Sequence, residues 1–308
     1  MLTIAGIGEA LFDVFPNGAR KLGGATLNFA VHAHQLLSRV NGRGVPVTRI
    51  GMDGLGNDVM ANLDAFGVPT SNVQWDAARP TGQVLVTFSA DGSPNYDILR
   101  DVAWDAIEFD AAARELAPRC DALCFGTLAQ RDPRSREAIQ AFIEATSPNA
   151  LRLLDINLRQ NFYSEGLIRR SLELANALKI NDAEIQVVSK LLNLEDDAPA
   201  ALIRDFNLRY LILTRGEHGT VIHTETGIFE GDRIAAVPNE AADPVGAGDS
   251  CAAACAVGLL LDHPPTSVAT FANRIGAYVA SHPGGTPRIP ENLKVHPDTT
   301  LPPLATGN

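Results

Sequence analysis

Short apolar runs alternate with amphipathic helical patterns along most of this chain. Runs with the length and composition of buried strands lie at residues 2–8, 46–51, 121–126, 151–157, 177–181 and 210–216. Patterns of helical periodicity lie between several of them, at residues 57–68, 133–146 and 182–192. Strands separated by helices predict βαβ units, in which helices cover both faces of a mostly parallel sheet. The sequence therefore predicts an α/β protein with a three-layer core.

One stretch departs from this alternation. Residues 81–101 hold two alternating runs around Asp91 and Gly92, a strong hairpin signal, with no helix between them. Such a hairpin is expected to leave the main sheet and to form a small second sheet with residues 11–22. This sheet would be a lid that excludes water from a substrate, or else a surface ornament. With it included, residues 1–308 are expected to form a single domain.

The net charge of the chain restricts the kinds of partner that it is expected to bind. The 308 residues include 36 acidic and 25 basic side chains, a formal charge of −11. A general nucleic-acid binder normally carries a basic surface, so nucleic acid is not an expected partner. No apolar run approaches the roughly 20 residues of a membrane helix. The N-terminus lacks the basic start of a secretory signal, and we expect a cytoplasmic protein with no membrane partner.

Four cysteines fall into two pairs, each with four residues from one cysteine to the next. The pairs are Cys120 with Cys124 and Cys251 with Cys255. Their spacing lacks the paired short motifs of a zinc site, and no histidine pair at helical ligand spacing lies nearby. We therefore interpret the four cysteines as small buried apolar residues, in preference to a metal site or a disulfide.

A turn of small residues leads into a helical run that ends near Leu261. The N–H groups of Gly246, Ala247, Gly248 and Asp249 would lack partners at the start of this helix. Converging on one point, they would bind an anion such as phosphate, with help from the helix dipole. A carboxylate there is useful if it accepts a proton from a hydroxyl that attacks the phosphate. The alternative for Asp249 is a simple helix cap, and this motif alone leaves both open.

Further motifs accompany this turn along the chain. In order, they are GGATLNFAV (23–31), IGMDGLGNDV (50–59), KINDAE (179–184), LTRGEHGT (213–220), DPVGAGD (243–249) and FANRIGAYVASHPGGTP (271–287). In these motifs the chain resembles the PfkB, or ribokinase-like, family of carbohydrate and nucleoside kinases over residues 2–290. FGTLAQR (125–131) and DINLR (155–159) resemble most the fructokinase and 2-keto-3-deoxygluconate kinase branch. The resemblance implies a ribokinase-like α/β/α core with a small β-sheet lid.

The resemblance also implies residue roles around a nucleotide. Asp249 would be the general base, with Gly246, Ala247 and Gly248 as the anion hole. Glu184, together with Asn181, would organise Mg²⁺. The residues expected beside the nucleotide are Asn181, Thr214, Gly216, Gly219, Asn273 and Ala277. Taken alone, Glu184 is more simply a favourable acid at a helix N-terminus. The loop after Thr214 is equally a plain turn, and the last two residues are equally core packing.

On the sugar side the resemblance implies a second group of residues. These are Asp13, Gly23, Gly24, Asn28, Arg100, Asn157 and Arg159. A solvated loop acid is the alternative for Asp13, and a turn before a helix is the alternative for the two glycines. The arginines could grip a carboxylate or phosphate, hydrogen-bond sugar hydroxyls, or pair structurally with Asp101 and Asp155. The sequence leaves these possibilities open.

The function that the resemblance implies is ATP-dependent phosphorylation of the terminal hydroxymethyl group of a sugar. A ketose such as fructose or a keto-sugar acid is the leading substrate, with Mg²⁺ required. Ribokinase-like or nucleoside-kinase-like activity, or a non-catalytic binding protein, are the alternatives. Some relatives bind a monovalent cation such as K⁺ beside the turn; Pro244 replaces the family's usual Thr there but keeps its carbonyl. A homodimer is expected by analogy.

Overall fold

A nine-stranded sheet forms the centre of the computed structural model, which describes residues 1–89, 93–194, 197–237, 239, 242 and 244–302. From one edge to the other the strands are β13 (Gly227–Glu230), β12 (Thr220–Thr224), β11 (Tyr210–Thr214), β10 (Ala177–Asn181), β9 (Leu151–Asp155), β8 (Ala122–Phe125), β1 (Leu2–Ile7), β4 (Gly42–Gly51) and β5 (Val73–Asp76). Neighbours run parallel, except that β12 is antiparallel to both β11 and β13. The predicted, mostly parallel sheet is confirmed.

Helices cover both faces of this sheet. One layer contains α1 (Ala25–Leu36), α8 (Ala247–Leu260) and α9 (Pro265–Ala280), and α2 (Gly54–Ala65) packs beside α1. The other contains α3 (Ala111–Leu116), α4 (Pro133–Glu144), α5 (Glu165–Leu174), α6 (Asp182–Leu192) and α7 (Ala198–Phe206). Alternate residues of the central strands join opposite cores: Ile4 packs with α1 and α8, whereas Ile7 packs with α4 and α5. The three-layer prediction is confirmed.

The smaller sheet is separate from the main one, as predicted. Its strands, in order, are β3 (Arg20–Gly23), β2 (Leu11–Val14), β6 (Gly82–Phe88) and β7 (Pro94–Ile98). β6 and β7 form the predicted antiparallel hairpin, and β2 pairs with β6 in parallel. The predicted turn residues, Asp91 and Gly92, lie outside the described residues.

Some element boundaries differ from the sequence prediction. Helix α6 covers the predicted 182–192, but α2 spans Gly54–Ala65 and not 57–68. The Asp53 carboxylate accepts a hydrogen bond from the Gly56 N–H, so the helix starts within a glycine-containing stretch that has low helix propensity. After α2, Gly67 adopts φ 69°, which ends the helix before the predicted Val68.

The carboxyl ends of three adjacent strands meet at one edge of the main sheet. Strand β9 ends at Asp155, β10 at Asn181 and β11 at Thr214. Because these strands are parallel, Asn181 lies opposite Thr214, and Lys179 lies opposite Asp155. Ligands of open α/β sheets bind outside such ends.

No helix of the described ranges is long and apolar enough to span a bilayer.

Candidate active site

Asp249 lies in the first turn of α8 and contacts the facing helix α1. Its Oδ2 accepts a hydrogen bond of 2.8 Å from Nδ2 of Asn28, a residue 221 positions earlier in the chain. Burial raises the pKa of the Asp249 carboxyl to about 6, and the negative charge of Asp155 adds to this increase. The Asn28 hydrogen bond and the charges of Lys179 and Arg159 act in the opposite direction. A carboxylate of this pKa is ionised at neutral pH and can still accept a proton.

Helix α8 begins at Gly246, and only glycine fits there. Its backbone has φ 82°, in the left-handed region that side chains disfavour. An added Cβ would lie 2.1 Å from the carbonyl oxygen of Gly285. The predicted anion-hole turn is therefore packed directly against the segment that follows α9.

Two residues along α1 hold that segment in place by hydrogen bonds. The Nε2–H of buried His32 donates to the Gly285 carbonyl at 2.9 Å. Gln35 donates to the Pro287 carbonyl at 3.2 Å and accepts from the Ile289 N–H at 2.8 Å. Burial lowers the pKa of His32 to about 4, so the ring is neutral at physiological pH. Together with Asn28, these side chains connect the sugar-side signature to the start of α8.

The amides of the predicted anion hole are not all free. The Ala247 N–H donates to the Pro244 carbonyl at 3.2 Å, so this amide has a partner, contrary to the expectation that it would lack one. The Pro244 carbonyl is correspondingly occupied by that contact. Asp243, the first residue of the signature, lies outside the described residues.

A buried ion pair lies under the same turn. Nζ of Lys179 contacts both carboxylate oxygens of Asp155, at 2.9 and 3.2 Å, and the two side chains are 7% and 3% exposed. A Cβ added to Gly248 would lie 3.3 Å from Nζ. The ammonium group is thus directly beside the predicted anion hole.

Asn181 and Glu184 close the start of α6 with a reciprocal cap. The Asn181 side chain accepts from the N–H groups of Ala183 and Glu184, and Glu184 Oε2 accepts from the Asn181 N–H at 3.0 Å. Glu184 Oε1 accepts from the Leu158 N–H at 3.1 Å. Both oxygens of the predicted metal residue therefore already bind main-chain donors, as the capping alternative requires.

These contacts bear on the predicted Mg²⁺. Across the described ranges, no cluster of three His, Cys, Asp or Glu side chains could hold a metal ion. Mg²⁺ commonly keeps several waters and binds through one or two carboxylates together with substrate phosphates. The donor set therefore fits a metal ion that arrives with nucleotide phosphates better than one held by protein ligands alone.

Residues predicted for the nucleotide come together beyond β11. Gly216 and Gly219 adopt positive φ of 55° and 80° in the turn between β11 and β12. A Cβ at Gly219 would lie 2.9 Å from Nδ2 of Asn273 on α9, which donates to the Asp232 carbonyl at 2.7 Å. Thr214 ends β11 opposite Asn181. The turn, α9 and the end of β10 therefore form one continuous surface.

Ala277 lines a cavity of about 550 Å³ between α9 and the segment that precedes α8. Val237 and Ser281 belong to the same wall, and the Val237 N–H donates to the Ser281 hydroxyl at 2.7 Å. The aromatic rings of Tyr278 and His282 stack with centroids 4.0 Å apart and also line the cavity. A flat aromatic or heterocyclic group could be accommodated there.

Among the residues predicted for the sugar, Gly24 is fixed by Glu9. Gly24 begins α1 with φ 116°, and a Cβ there would lie 2.3 Å from the Glu9 carbonyl oxygen. Glu9 is 2% exposed, and its Oε1 accepts from the Ala25 N–H at 2.9 Å. Burial raises the pKa of the Glu9 carboxyl to about 7.

Asp13 lies on β2, opposite Val84 of β6, and so belongs to the small sheet. Gly23 ends β3 opposite Leu11 of β2.

The predicted arginines lie in two places. The Arg100 guanidinium lies 4.8 Å from the centroid of the Phe162 ring, at the end of the small sheet. Arg159 follows Asn157, which has a positive φ of 37°, and donates to the Leu158 carbonyl at 3.1 Å. Asp101 and Asp155, the acids considered as structural partners, pair with Arg79 and Lys179.

Comparison with known proteins decides the family. The pattern of pfkB family carbohydrate kinases matches residues 15–292. The chain belongs to the pfkB family. Carbohydrate kinases are phosphotransferases, so this protein is an enzyme of that class. The resemblance stated from the sequence motifs is confirmed.

Individual relatives of this pfkB kinase include enzymes for two kinds of substrate. Fructokinase-1 from Oryza sativa subsp. japonica is 27% identical over 95% of this chain and 92% of its own length. A nucleoside kinase from Methanothermobacter thermautotrophicus is 23% identical over 87% of this chain and 81% of its own. The crystal structure of a fructokinase with bound ATP from Xylella fastidiosa superposes with a TM-score of 0.80, 19% identity and coverage of 92% and 93%. This last likeness confirms the fold.

The sequence motifs missed several residues of this pfkB kinase site. Lys179 and Asp155 were not assigned to it, although a lysine inside the apolar strand run ALKIN needs a buried partner. Glu9, His32 and Gly285 were also not assigned. Their roles depend on contacts between distant segments, for which the chain offers no local signal.

Proposed function

We propose that this pfkB kinase transfers the terminal phosphoryl group of ATP to the terminal hydroxymethyl group of a ketose, with fructose as the leading substrate. The observation that carries the proposal is Asp249, held by Asn28 at 2.8 Å at the start of α8. A proton acceptor beside main-chain amides suits an alcohol that attacks a phosphoryl group. Fructokinases among the relatives support the substrate class.

In the proposed reaction the Asp249 carboxylate accepts the proton of the substrate hydroxyl as its oxygen bonds to the γ-phosphorus. The bond from that phosphorus to the bridging oxygen breaks, and ADP leaves with the electron pair. The Gly248 and Asp249 amides, at the positive end of the α8 dipole, stabilise charge on the transferring oxygens. Asn28 orients the carboxylate, so that the hydroxyl and the base meet in a fixed geometry.

Bound Mg²⁺ would neutralise charge on the nucleotide phosphates during transfer. Glu184 and Asn181 lie at the end of β10 and would hold the water shell of that ion. Thr214, Gly216 and Gly219 would line the phosphates and ribose. Asn273 and Ala277 would flank the adenine, with the base in the cavity of about 550 Å³.

The small sheet is proposed as the lid over the sugar. Asp13 on β2 would accept hydrogen bonds from sugar hydroxyls, with Gly23 and Gly24 bringing main chain close to the ring. Arg159 and Asn157 would contact the sugar from the end of β9, and Arg100 from the lid. A keto-sugar acid would use the same arginines for its carboxylate.

A nucleoside is the second candidate, because a nucleoside kinase is among the relatives. A cytoplasmic location, a homodimer and a K⁺ requirement stay predictions.

A coupled assay of ADP release tests the proposal. The panel contains ketoses, aldoses, pentoses, nucleosides and 2-keto-3-deoxy sugar acids, each with Mg·ATP. We expect the highest kcat/KM with a ketose, and a kcat about 10³-fold lower with the Asp249→Asn variant as the matched control. Preference for a nucleoside would move the protein to the second candidate. No turnover with any compound, in protein that binds ATP, would favour a non-catalytic binding protein.

A further inference from the structure

The Lys179–Asp155 ion pair lies at the junction of the sheet and α8. Lys179 is on β10, and Asp155 is its register partner at the end of β9. Nζ has two contacts with the carboxylate and lies 3.3 Å from the position that a Cβ on Gly248 would occupy. Both side chains are almost fully buried. The pair is therefore adjacent to the turn that carries Asp249.

Burying this pair has a large desolvation cost. Replacing a buried ion pair by apolar residues is often neutral or stabilising, so the pair is weak evidence of a role in stability alone. The interior of the sheet could have accommodated two apolar residues, as it does at neighbouring positions such as Leu154 and Leu178. A role of these two buried charges in the candidate site would explain their presence.

Several charges act on the ammonium group and on Asp249 together. Although burial lowers the pKa of Lys179, the charges of Asp155, Asp249 and Glu184 hold it well above its usual value. Lys179 is therefore a permanent cation among carboxylates. The titratable and charged groups that face Asp249 from the surrounding elements are Glu9, Cys124, Asp155, Arg159 and Lys179.

We propose that Lys179 is a positioning residue for phosphoryl transfer: its fixed positive charge beneath the first turn of α8 keeps Asp249 ionised and favours an anion at the turn. Asp155 holds the ammonium group at that place and limits the strength of its effect. This inference rests on the proposed function and extends it to the residues that tune the base. Lys179 acts through Asp249 and the α8 turn, without contact to the reacting atoms.

The two members of the pair have opposite charges, and this makes the test specific. Lys179→Gln removes the positive charge and Asp155→Asn the negative one, and each keeps a side chain that can hydrogen-bond. We expect the acid limb of the kcat/KM profile to move up by about one pH unit in Lys179→Gln and down in Asp155→Asn. In Lys179→Gln the loss of activity should become smaller as the pH rises, because the Asp249 carboxyl ionises at higher pH. The double variant should keep the acid limb near that of the wild type.

A second buried ion pair provides the control. Arg131 and Asp105, 6% and 3% exposed, are paired at 2.8 Å, and neither is among the groups that face Asp249. Arg131→Gln and Asp105→Asn should lower the melting temperature without moving the acid limb. A purely structural role for Lys179 predicts this same pattern at both pairs. Shifts in the same direction in Lys179→Gln and Asp155→Asn, or no shift in either, would overturn the proposal.

Carboxyl ¹³C NMR of the full-length protein provides a readout that does not need activity. The Asp249 resonance is assigned by its loss in Asp249→Asn, and its pKa is measured in both single variants. Opposite shifts with an inactive wild type would mean that the proposed function fails while Lys179 still sets the Asp249 charge. Normal turnover by the wild type, together with an Asp249 pKa in both variants equal to that of the wild type, would mean that the proposed function holds and that Lys179 does not set the Asp249 charge. If the single variants do not fold, the same titration in Lys179→Arg, which keeps the charge, should match the wild type; a shifted pKa there would contradict the proposal.

Discussion

Two helices that start at the edge of the site begin in different ways. Helix α6 starts at Asn181, and its first N–H groups are satisfied by the Asn181 side chain, while Glu184 returns a bond to the Asn181 N–H. Helix α8 starts at Gly246, which has no side chain with which to cap. The first is closed by its own residues, whereas the second depends on main chain and on whatever binds there. The difference separates a helix start that is closed by side chains from one that we propose to bind an anion.

The α1 start resembles that of α8 and not that of α6. Gly24 and Gly246 both have positive φ, and in both an added Cβ would come within 2.3 Å of a carbonyl oxygen from a distant segment. These helices face each other through Asn28 and Asp249. Glycine is therefore required where the chain must pack closely with a positive φ, and a capping residue suffices elsewhere.

The largest expected effect comes from the base at the α8 start. Asp249→Asn should lower kcat by about 10³-fold with little change in sugar affinity, because it removes the proton acceptor and keeps the shape. Stopped-flow and steady-state rates with the best sugar, together with calorimetric sugar binding, measure both quantities. Wild-type-like turnover in this variant would contradict the assignment of the base.

A smaller loss is expected when the α8 start receives a side chain. Gly246→Ala places a methyl group 2.1 Å from the Gly285 carbonyl, and a shift of the turn by about 1 Å can cost about 10²-fold in rate. Gly54→Ala at the start of α2 is the matched control, since its Cβ would meet nothing within 4 Å. Equal rates in both variants would show that the α8 turn tolerates displacement.

The next effect is the pH dependence of kcat/KM, which should report the Asp249 carboxyl at the start of α8. The Asp249 pKa is raised to about 6, and the base works only when ionised. The value of kcat/KM should therefore fall by about tenfold per unit as the pH falls below about 6. The residual rate of Asp249→Asn should lack this limb. A limb that persists unchanged in that variant would assign it to another group.

The smallest effect is expected at the closed start of α6. Glu184→Gln keeps one oxygen that accepts a main-chain N–H but loses the charge near the proposed Mg²⁺, so half-saturation by Mg²⁺ should rise several-fold while kcat at saturating Mg²⁺ changes little. Glu165→Gln, in the first turn of α5, is the control for an acid at a helix start away from the site. An unchanged Mg²⁺ requirement would leave Glu184 as a cap alone.

Much of the fold could be predicted from local sequence. The Asn181 and Glu184 spacing is a capping box, and α6 begins there as predicted. The alternating runs around residues 81–101 gave the separate hairpin. These signals lie within a few residues of one another, so a single sequence contains them. Glycine at positions 54 and 56 weakens the helical signal of α2, so the sequence predicts a start at residue 57, later than the observed Gly54.

The parts of the site that were missed depend on long-range register. Lys179 meets Asp155 because two strands pair with that offset, 24 residues apart. His32 meets Gly285 across 253 residues. A periodic pattern tells which face of an element is buried but not which distant atom lies opposite. The motifs therefore indicate the proposed reacting groups, while the contacts that hold and charge them appear only in the folded structure.

The contact between Gly246 and Gly285 has a consequence for biosynthesis. Because the wall behind the α8 turn is made by the segment that follows α9, a nascent polypeptide that already contains the turn at residues 243–249 still lacks the contact that fixes it. Catalytic competence would appear only after α9 and the following residues have left the ribosome and docked on α1. Premature termination after α9 would remove both the Gly285 contact and the buried core residues Ile289 and Val295, and we expect an inert product.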